Sequence, residues 1–389
     1  MLARGNACRD AATLFSMLPG HADREGTADY RARFPSLRDA GHFRQTEHVP
    51  GVAQLWLSSI GLGTYLGEPD EATDQEYTKA IATALRSGLN VLDTAINYRH
   101  QRSERAIGAA LRQLIGGGEL KRNQVLISTK AGYLAFDQNL PPDPRAYILH
   151  EYVEPGILDP SQIAGGMHAM TPAYLEDQIG RSCRNLGLET IDVFYLHNPE
   201  TQLSEVSRDL FRHRLGDAFA MLERQVQAGK LSYYGLATWN GFRLPHGSRD
   251  SLQLDEIVRL AEEVAGPQHH FRFLQLPFNL AMPEAYAFSN QGSGRKQSLL
   301  AAASALGIAV IGSATLCQGR LTDGLPNAVR ELLGLTCDAD NAIQFSRSAP
   351  GLTTALVGMG HGEHVTANLR VAHAPPTPVG RWQELFQTT

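Results

Sequence analysis

The sequence predicts an α/β protein: a (β/α)8 TIM barrel with an N-terminal extension and a long loop after the third strand. Three observations predict it. From about residue 54, short apolar runs alternate with amphipathic stretches of ten or more residues, the pattern of repeated βα units around a parallel sheet. The runs number eight, and so do the amphipathic stretches, which is the count of a (β/α)8 barrel. The runs are nearly continuously apolar, as strands covered on both faces must be. A doubly wound open sheet is the alternative, and it commonly has fewer strands per domain.

The strands are expected at 54–63, 90–95, 124–132, 191–198, 231–238, 271–278, 308–315 and 353–359. Helices are expected at 74–87, 103–114, 172–186, 217–229, 251–265, 296–306, 326–334 or 341–348, and 364–371. "LRSGLN", "CRNLGLE" and "QAGKLS" each place a glycine after the last periodic residue, where a helix ends. Thr171-Pro172 supplies a capping hydroxyl and then a proline at the first helical position. Residues 1–50 show little periodicity and read as an extension with at most a short helix; residues 51–389 read as one catalytic domain. The segment 133–170 exceeds an ordinary βα loop, and loops of that size are commonly lids.

The chain has 389 residues, 43% hydrophobic and 19% charged, enough for a sizeable core. A net charge of −5 with no basic stripe excludes nucleic acid as a partner class. No apolar run reaches the roughly 20 residues that span a bilayer, and the first residues are too broken by charge for a secretory signal. Cys8, Cys183, Cys317 and Cys337 form no CxxC pair, so free thiols in a cytoplasmic protein, with no metal, are expected.

In this fold the active site lies at the carboxyl ends of the strands. Asp93 ends the second predicted strand and Tyr98 follows in its loop; Lys130 and His197 end the third and fourth. A phenol, with an ordinary pKa of about 10, is a poor acid or base near neutrality. A close ammonium lowers that value, and a carboxylate keeps the ammonium charged. On this reading Asp93 supports Lys130, Lys130 acidifies Tyr98, Tyr98 exchanges a proton with a substrate oxygen, and His197 orients that oxygen.

These residues resemble the pattern of the aldo-keto reductases. The match runs through Asp93-Thr94-Ala95, Tyr98, Ser103-Glu104, Lys130 in "STKAG" and His197 in "FYLHNP", and covers about residues 54–372. The resemblance implies NAD(P)-dependent interconversion of a carbonyl (aldehyde, ketone or sugar) and an alcohol, with Asp93, Tyr98, Lys130 and His197 catalytic. It implies a cofactor site at Gly63, Thr64, Tyr65, Asp93, Thr238, Gln275, Ser313, Leu316, Gln318, Gly319, Gly358, His364 and Asn368. The glycine-rich "GLGTYLG" is spaced GxGxxxG and opens directly on no amphipathic helix, so it is not a Rossmann fingerprint.

The sequence departs from that pattern at Ala237-Thr238, where the family has Ser-Asn, and at Ser313, where an aromatic commonly stacks on the nicotinamide. Trp239 is the aromatic available to compensate. The stretch 358–369 offers His361, Glu363 and His364 but no Lys or Arg, which leaves NADP and NAD both open as cofactor. The His361/His364 pair has no evident third metal ligand. Tyr133, Phe136, Tyr147, Tyr152 and Trp239 either line an apolar mouth or pack the long loop onto the barrel. The alternative to an enzyme is a cofactor-binding regulatory barrel with little catalysis. A small carbonyl or alcohol is the expected partner, the oligomeric state being open.

Overall fold

The structure, a computed structural model, describes residues 17–46, 49, 52, 54–292 and 296–387. The segment read as lacking a secretory signal, and Cys8 within it, lie outside the described residues. Two short strands come first, β1 (Phe43–Gln45) and β2 (Trp56–Ser58), paired antiparallel. Eight more follow: β3 (Ile60–Gly63), β4 (Val91–Asp93), β5 (Leu126–Ala131), β6 (Ile191–His197), β7 (Leu231–Ala237), β8 (Phe271–Pro277), β9 (Ala309–Ser313) and β10 (Leu352–Gly358). They close a barrel in the order β10-β3-β4-β5-β6-β7-β8-β9, every pair parallel, so the expected (β/α)8 fold is present.

The helices are α1 (Arg24–Ala32), α2 (Pro35–Asp39), α3 (Glu71–Arg86), α4 (Arg102–Gly116), α5 (Pro144–Ile148), α6 (Pro172–Leu186) and α7 (Arg208–Gln227). After them come α8 (Leu254–Ala265), α9 (Glu284–Ala287), α10 (Leu299–Ala305), α11 (Asn327–Leu333), α12 (Asp338–Ser348), α13 (Gly362–Leu369) and α14 (Val379–Gln383). Local chemistry fixes many ends. Asp70 caps α3 by accepting from the Thr73 amide at 2.8 Å, and Thr171 with Pro172 starts α6, which stops at Gly187 in the left-handed region (φ +68°). The helix expected at 217 begins at 208, because Ser207 caps the Leu210 amide. Both alternatives at 326–334 and 341–348 are helical, as α11 and α12.

The extension is more ordered than its composition suggests, which corrects the expectation of little regular structure: it carries α1, α2 and β1. Its helices are too short to stand alone and hold through tertiary contacts. Tyr30 of α1 is fully buried, and its hydroxyl donates to the carbonyls of Leu85 and Leu89 at 2.6 and 2.8 Å. The run expected as one strand at 54–63 is broken at Ser59. Its first half pairs with β1, and its second enters the barrel as β3. Ala22 and Val49 of the extension, with Leu55 and Leu57 just after it, pack with Val91, Leu126, Val193, Phe273 and Leu356 of the barrel interior, so together they floor the barrel at the amino ends of its strands.

The interior tolerates little added volume. A Cβ on Gly235 of β7 would lie 1.9 Å from the Phe273 carbonyl oxygen, which backbone cannot yield without breaking the β7–β8 ladder. Gly235→Ala is therefore expected to destabilise the fold by about 3 kcal/mol or more, at or beyond the upper end for overpacked cores. A denaturant midpoint equal to wild type would contradict this.

The segment 133–170 is only partly irregular. It holds α5, continued by a wider turn over 149–153, and its Leu134, Tyr152, Leu158 and Ala169 form a small core with Tyr174 of α6. Tyr152 is fully buried and donates to the Ala135 carbonyl, and Phe136 packs on Tyr147 at 5.4 Å. These aromatics hold the loop together.

Candidate active site

The parallel register sets neighbouring strand ends side by side. Gly63 pairs with Asp93 and with Gly358, Lys130 with Tyr195, and His197 with Ala237. Asp93, Lys130 and His197 thus arrive at one rim because each sits at the carboxyl end of an adjacent strand. Lys130 is fully buried, and its ammonium donates to Asp93 Oδ2 at 2.6 Å, to the Thr94 carbonyl at 2.7 Å and to the Tyr98 hydroxyl at 3.4 Å. It lies 4.7 Å from the Tyr98 ring centre. The His197 imidazole meets the Tyr98 ring edge-on at 5.8 Å, and the Tyr65 ring does so at 5.0 Å. The structure brings all four sequence-predicted side chains together.

Asp93 has further partners that the sequence reading missed. Its Oδ1 accepts from Ser128 Oγ and from Gln275 Nε2, each at 2.7 Å. Ser128 lies two residues before Lys130 on β5, so period-two alternation alone places it on the lysine's face. Glu104, also fully buried, accepts from Thr129 Oγ1 at 2.7 Å and Asn185 Nδ2 at 2.8 Å. The Ser103 hydroxyl donates to the Thr64 carbonyl.

The electrostatics correct one sequence expectation. Burial, then the Asp93 carboxylate, pushes the Tyr98 phenol well above its ordinary range, where the sequence reading had Lys130 lowering it. The reason is geometric. The ammonium sits 2.6 Å from Asp93 and 3.4 Å from the phenol oxygen, so Asp93 offsets part of its pull while burial raises the phenol. Tyr98 as a residue is half-buried, and its hydroxyl is enclosed by protein. Burial also pulls Lys130 down, against Asp93, and burial with the Lys130 charge holds His197 far below its usual value, as a neutral imidazole.

Around this group the chain is held hard. Arg99, His100 and Gln101 all have positive φ (48°, 54° and 70°), a left-handed turn built without glycine. Such residues cost on the order of 1–2 kcal/mol each. Arg99 anchors the turn by donating to the Glu68 carbonyl and to Asp74, and Gln101 by donating to the Phe136 carbonyl. On the far side His168 bonds the His197 carbonyl at 2.8 Å, Gln202 bonds His168 Nδ1 at 2.9 Å, and Tyr133 packs on both histidine rings. Gly132 admits this contact: a Cβ there would lie 2.6 Å from the His197 carbonyl oxygen and 2.8 Å from His168 Nε2.

The residues implied for a cofactor are spread along the same rim. Gly63, Ser313 and Gly358 end β3, β9 and β10; Thr64 and Tyr65 follow β3, and Thr238 follows β7. Tyr65 is 56% exposed. Leu316, Gln318 and Gly319 form the turn after β9, with Gln318 left-handed at φ 56°. His364 and Asn368 lie on α13, the first exposed against His361 and the second buried. Gln275 points its amide at Asp93. The buried hydroxyls of Thr94, Thr238 and Thr315 and His197 Nδ1 have no hydrogen-bond partner among the described residues. Unpaired buried polar atoms are costly, and four near one rim fit a polar ligand held there.

Comparison with known proteins agrees with the geometry. The model of the "Aldo/keto reductase family" matches residues 59–328. The chain is 26% identical to a D-threo-aldose 1-dehydrogenase of Pseudomonas sp over 88% of this chain and 97% of that one. It is 27% identical to a putative voltage-gated potassium channel subunit beta of Schizosaccharomyces pombe, over 59% of this chain and 56% of that protein. It is 28% identical to an NADH-specific methylglyoxal reductase of Escherichia coli, over 53% and 55%. The chain thus spans little more than half the length of these last two. Among solved structures, the holo form of the Bacillus halodurans aldo-keto reductase AKR11C1 superposes with a TM-score of 0.59 at 18% identity, covering 89% of this chain and 95% of that one. A Klebsiella pneumoniae aldo/keto reductase in complex with NADP and acetate gives 0.57 at 20%, covering 86% and 92%. Strand order, the cluster at the strand ends and a family match over most of the barrel converge: this chain belongs to the aldo/keto reductase family.

Proposed function

We propose that the protein is a nicotinamide-dependent oxidoreductase that reduces a small carbonyl compound, with Tyr98 as the proton donor. The observation that carries this reading is the three-way contact of the Lys130 ammonium with Asp93, Thr94 and Tyr98. Tyr98 is a neutral phenol across the physiological range, so it is set to give a proton to an oxygen that gains negative charge, which is the reductive direction. His197, neutral, donates a hydrogen bond that orients the same oxygen. Lys130 stabilises the charge left on Tyr98 after transfer, and Asp93, with Ser128 and Gln275, fixes Lys130. A bound nicotinamide would supply the hydride, and Thr238, Ser313, the turn 316–319 and Gly358 would hold it. Purified protein with NADH or NADPH and a panel of aldehydes should consume the reduced nicotinamide.

The cofactor favoured is NADH. By family resemblance the adenosine end meets the stretch 358–369. There His361 stands 3.6 Å from Glu76, Glu363 is exposed, and Arg370 just beyond turns toward Asp340 at 4.0 Å. Glu363 repels a 2′-phosphate, Glu76 is itself paired with Lys79 at 2.9 Å, and residues 358–369 contain no Lys or Arg to meet it. The kcat/KM with NADH should exceed that with NADPH by about tenfold or more, the equivalent of roughly 1.4 kcal/mol; the reverse order would overturn the assignment.

A second reading has a specific motive: Ser313 stands where an aromatic ring is implied, and one relative is a putative channel subunit beta. Tight dinucleotide binding with no turnover of any carbonyl would favour a regulatory barrel.

A further inference from the structure

The rim loops after β6, β7 and β8 are tied together by two carboxylates that take no part in the chemistry above. Glu200, in the short helical turn Pro199–Ser204 after β6, is 5% exposed. One of its oxygens, Oε1, accepts three consecutive backbone amides of the loop after β7: Trp239 at 2.8 Å, Asn240 at 2.9 Å and Gly241 at 3.1 Å. No charged side chain pairs with Glu200 among the described residues. Its Oε1 is met by that concave set of amide dipoles, while Oε2 is buried without a hydrogen-bond partner among the described residues. The tied loop carries Trp239, 45% exposed, although the loop's backbone is pinned from beneath. Arg243 then donates to the Trp239 carbonyl at 3.2 Å and pairs with Glu284, at the start of α9, at 2.8 Å.

An indole held open to solvent by a buried carboxylate calls for a reason. A carboxylate accepting several amides is a strong and directional clamp, and burying it is costly unless those bonds are made. Fixing the backbone on either side of one exposed aromatic pre-organises a flat apolar surface before anything binds it, which lowers the entropy lost on binding. Trp239 follows Ala237 and Thr238, whose strand ends beside His197, so the platform stands over the same rim as Tyr98.

We infer that Glu200 is a positioning residue and that Trp239, held by it, is the specificity platform for the substrate: an uncharged carbonyl compound whose ring stacks on the indole. This rests on the oxidoreductase reading above. The discriminating substrates are 4-nitrobenzaldehyde, which has a ring, and propanal, which has none.

In Glu200→Ala, KM for 4-nitrobenzaldehyde rises about tenfold or more, while KM for propanal and kcat for both stay within about threefold. Glu200→Gln, which keeps an acceptor oxygen, recovers most of the difference, and Trp239→Ala reproduces the Glu200→Ala pattern. A general structural role would move both aldehydes together. Acrylamide quenching reads the clamp without turnover. Of Trp56, Trp239 and Trp382, Trp239 is the exposed indole, and its contribution is isolated by difference from Trp239→Phe. Its quenching constant should change in Glu200→Ala and return in Glu200→Gln. Unchanged quenching and an unchanged ratio of the two KM values in Glu200→Ala overturn the inference. If the wild type reduces neither aldehyde, the oxidoreductase reading fails, and the quenching result still judges the clamp.

Discussion

Tyr98→Phe is expected to lower kcat for carbonyl reduction by about a thousandfold, within the 10²–10⁴ range for loss of a positioned proton donor, or roughly 4 kcal/mol of transition-state stabilisation. The substitution removes one oxygen and leaves the ring. Its edge-on contacts with Tyr65 and His197 and the cation above its face all persist. Lys130 keeps Asp93 and Thr94 as partners, so no buried charge is stranded. Folding stability and cofactor Kd should therefore stay close to wild type, with the whole effect in the chemical step. Because burial and Asp93 hold the phenol high, wild-type reduction should show no alkaline decline from this group through the neutral range. A Phe variant keeping more than about a tenth of wild-type kcat would remove Tyr98 from the proton-donor role. Lys130→Met is a different experiment. It leaves Asp93 buried without its cation, and stability should fall by about 3–5 kcal/mol.

Stability should drop steeply between about pH 6.5 and 4. His42 is fully buried, bonded to Ser59 Oγ at 3.1 Å and near the Gly88 carbonyl, and burial with the Arg347 charge takes it down to about 3. His168, behind the active site, is taken down to about 4 by burial. Both are neutral in the folded protein, whereas in the unfolded chain each titrates near 6.5. Below that value the unfolded state binds protons that the folded state refuses, so the stability these groups provide above pH 6.5 is lost as the pH falls toward their folded values. By about pH 4.5 the loss is roughly 2–3 kcal/mol for each, together a large share of a typical domain's stability. Glu104 and Glu200, pushed up mainly by burial, act with the opposite sign and offset part of it. Denaturant midpoints measured from neutral pH to 4.5 in wild type and in the double variant His42→Gln/His168→Gln check this. The variant should show the shallower slope, and equal slopes would refute the assignment.

The barrel was legible because its signal is periodic and repeated: eight apolar runs, helix ends marked by glycine, and polar residues placed where strands stop. The four clustered side chains were legible for the same reason, since adjacent parallel strands must end together. Three things were not. The extension holds α1 and α2 through Tyr30 and the barrel floor, and its local sequence carries little helical pattern. The left-handed turn at Arg99–Gln101 has no glycine to announce it and exists because Asp74 and Phe136 hold it from outside. The direction of the Tyr98 shift depends on how completely the hydroxyl is enclosed and how far Asp93 offsets Lys130. Both are distances, and a linear pattern contains none. Glu200 likewise reads as one acidic residue in a loop until the amides of 239–241 fold onto it.

The floor of the barrel bears on how the chain reaches this state. Arg44, in β1, donates to the carbonyls of Arg347 and Leu352, about 300 residues away, and β3 completes its sheet only by pairing with β10. The β1 segment is thus stitched to one made about 300 residues later. Contacts of such separation are slow to form, because the loop entropy is lost before they are made. Until β10 arrives, β3 presents an open edge, so the nascent barrel needs shelter from its own neighbours while the intervening residues are made.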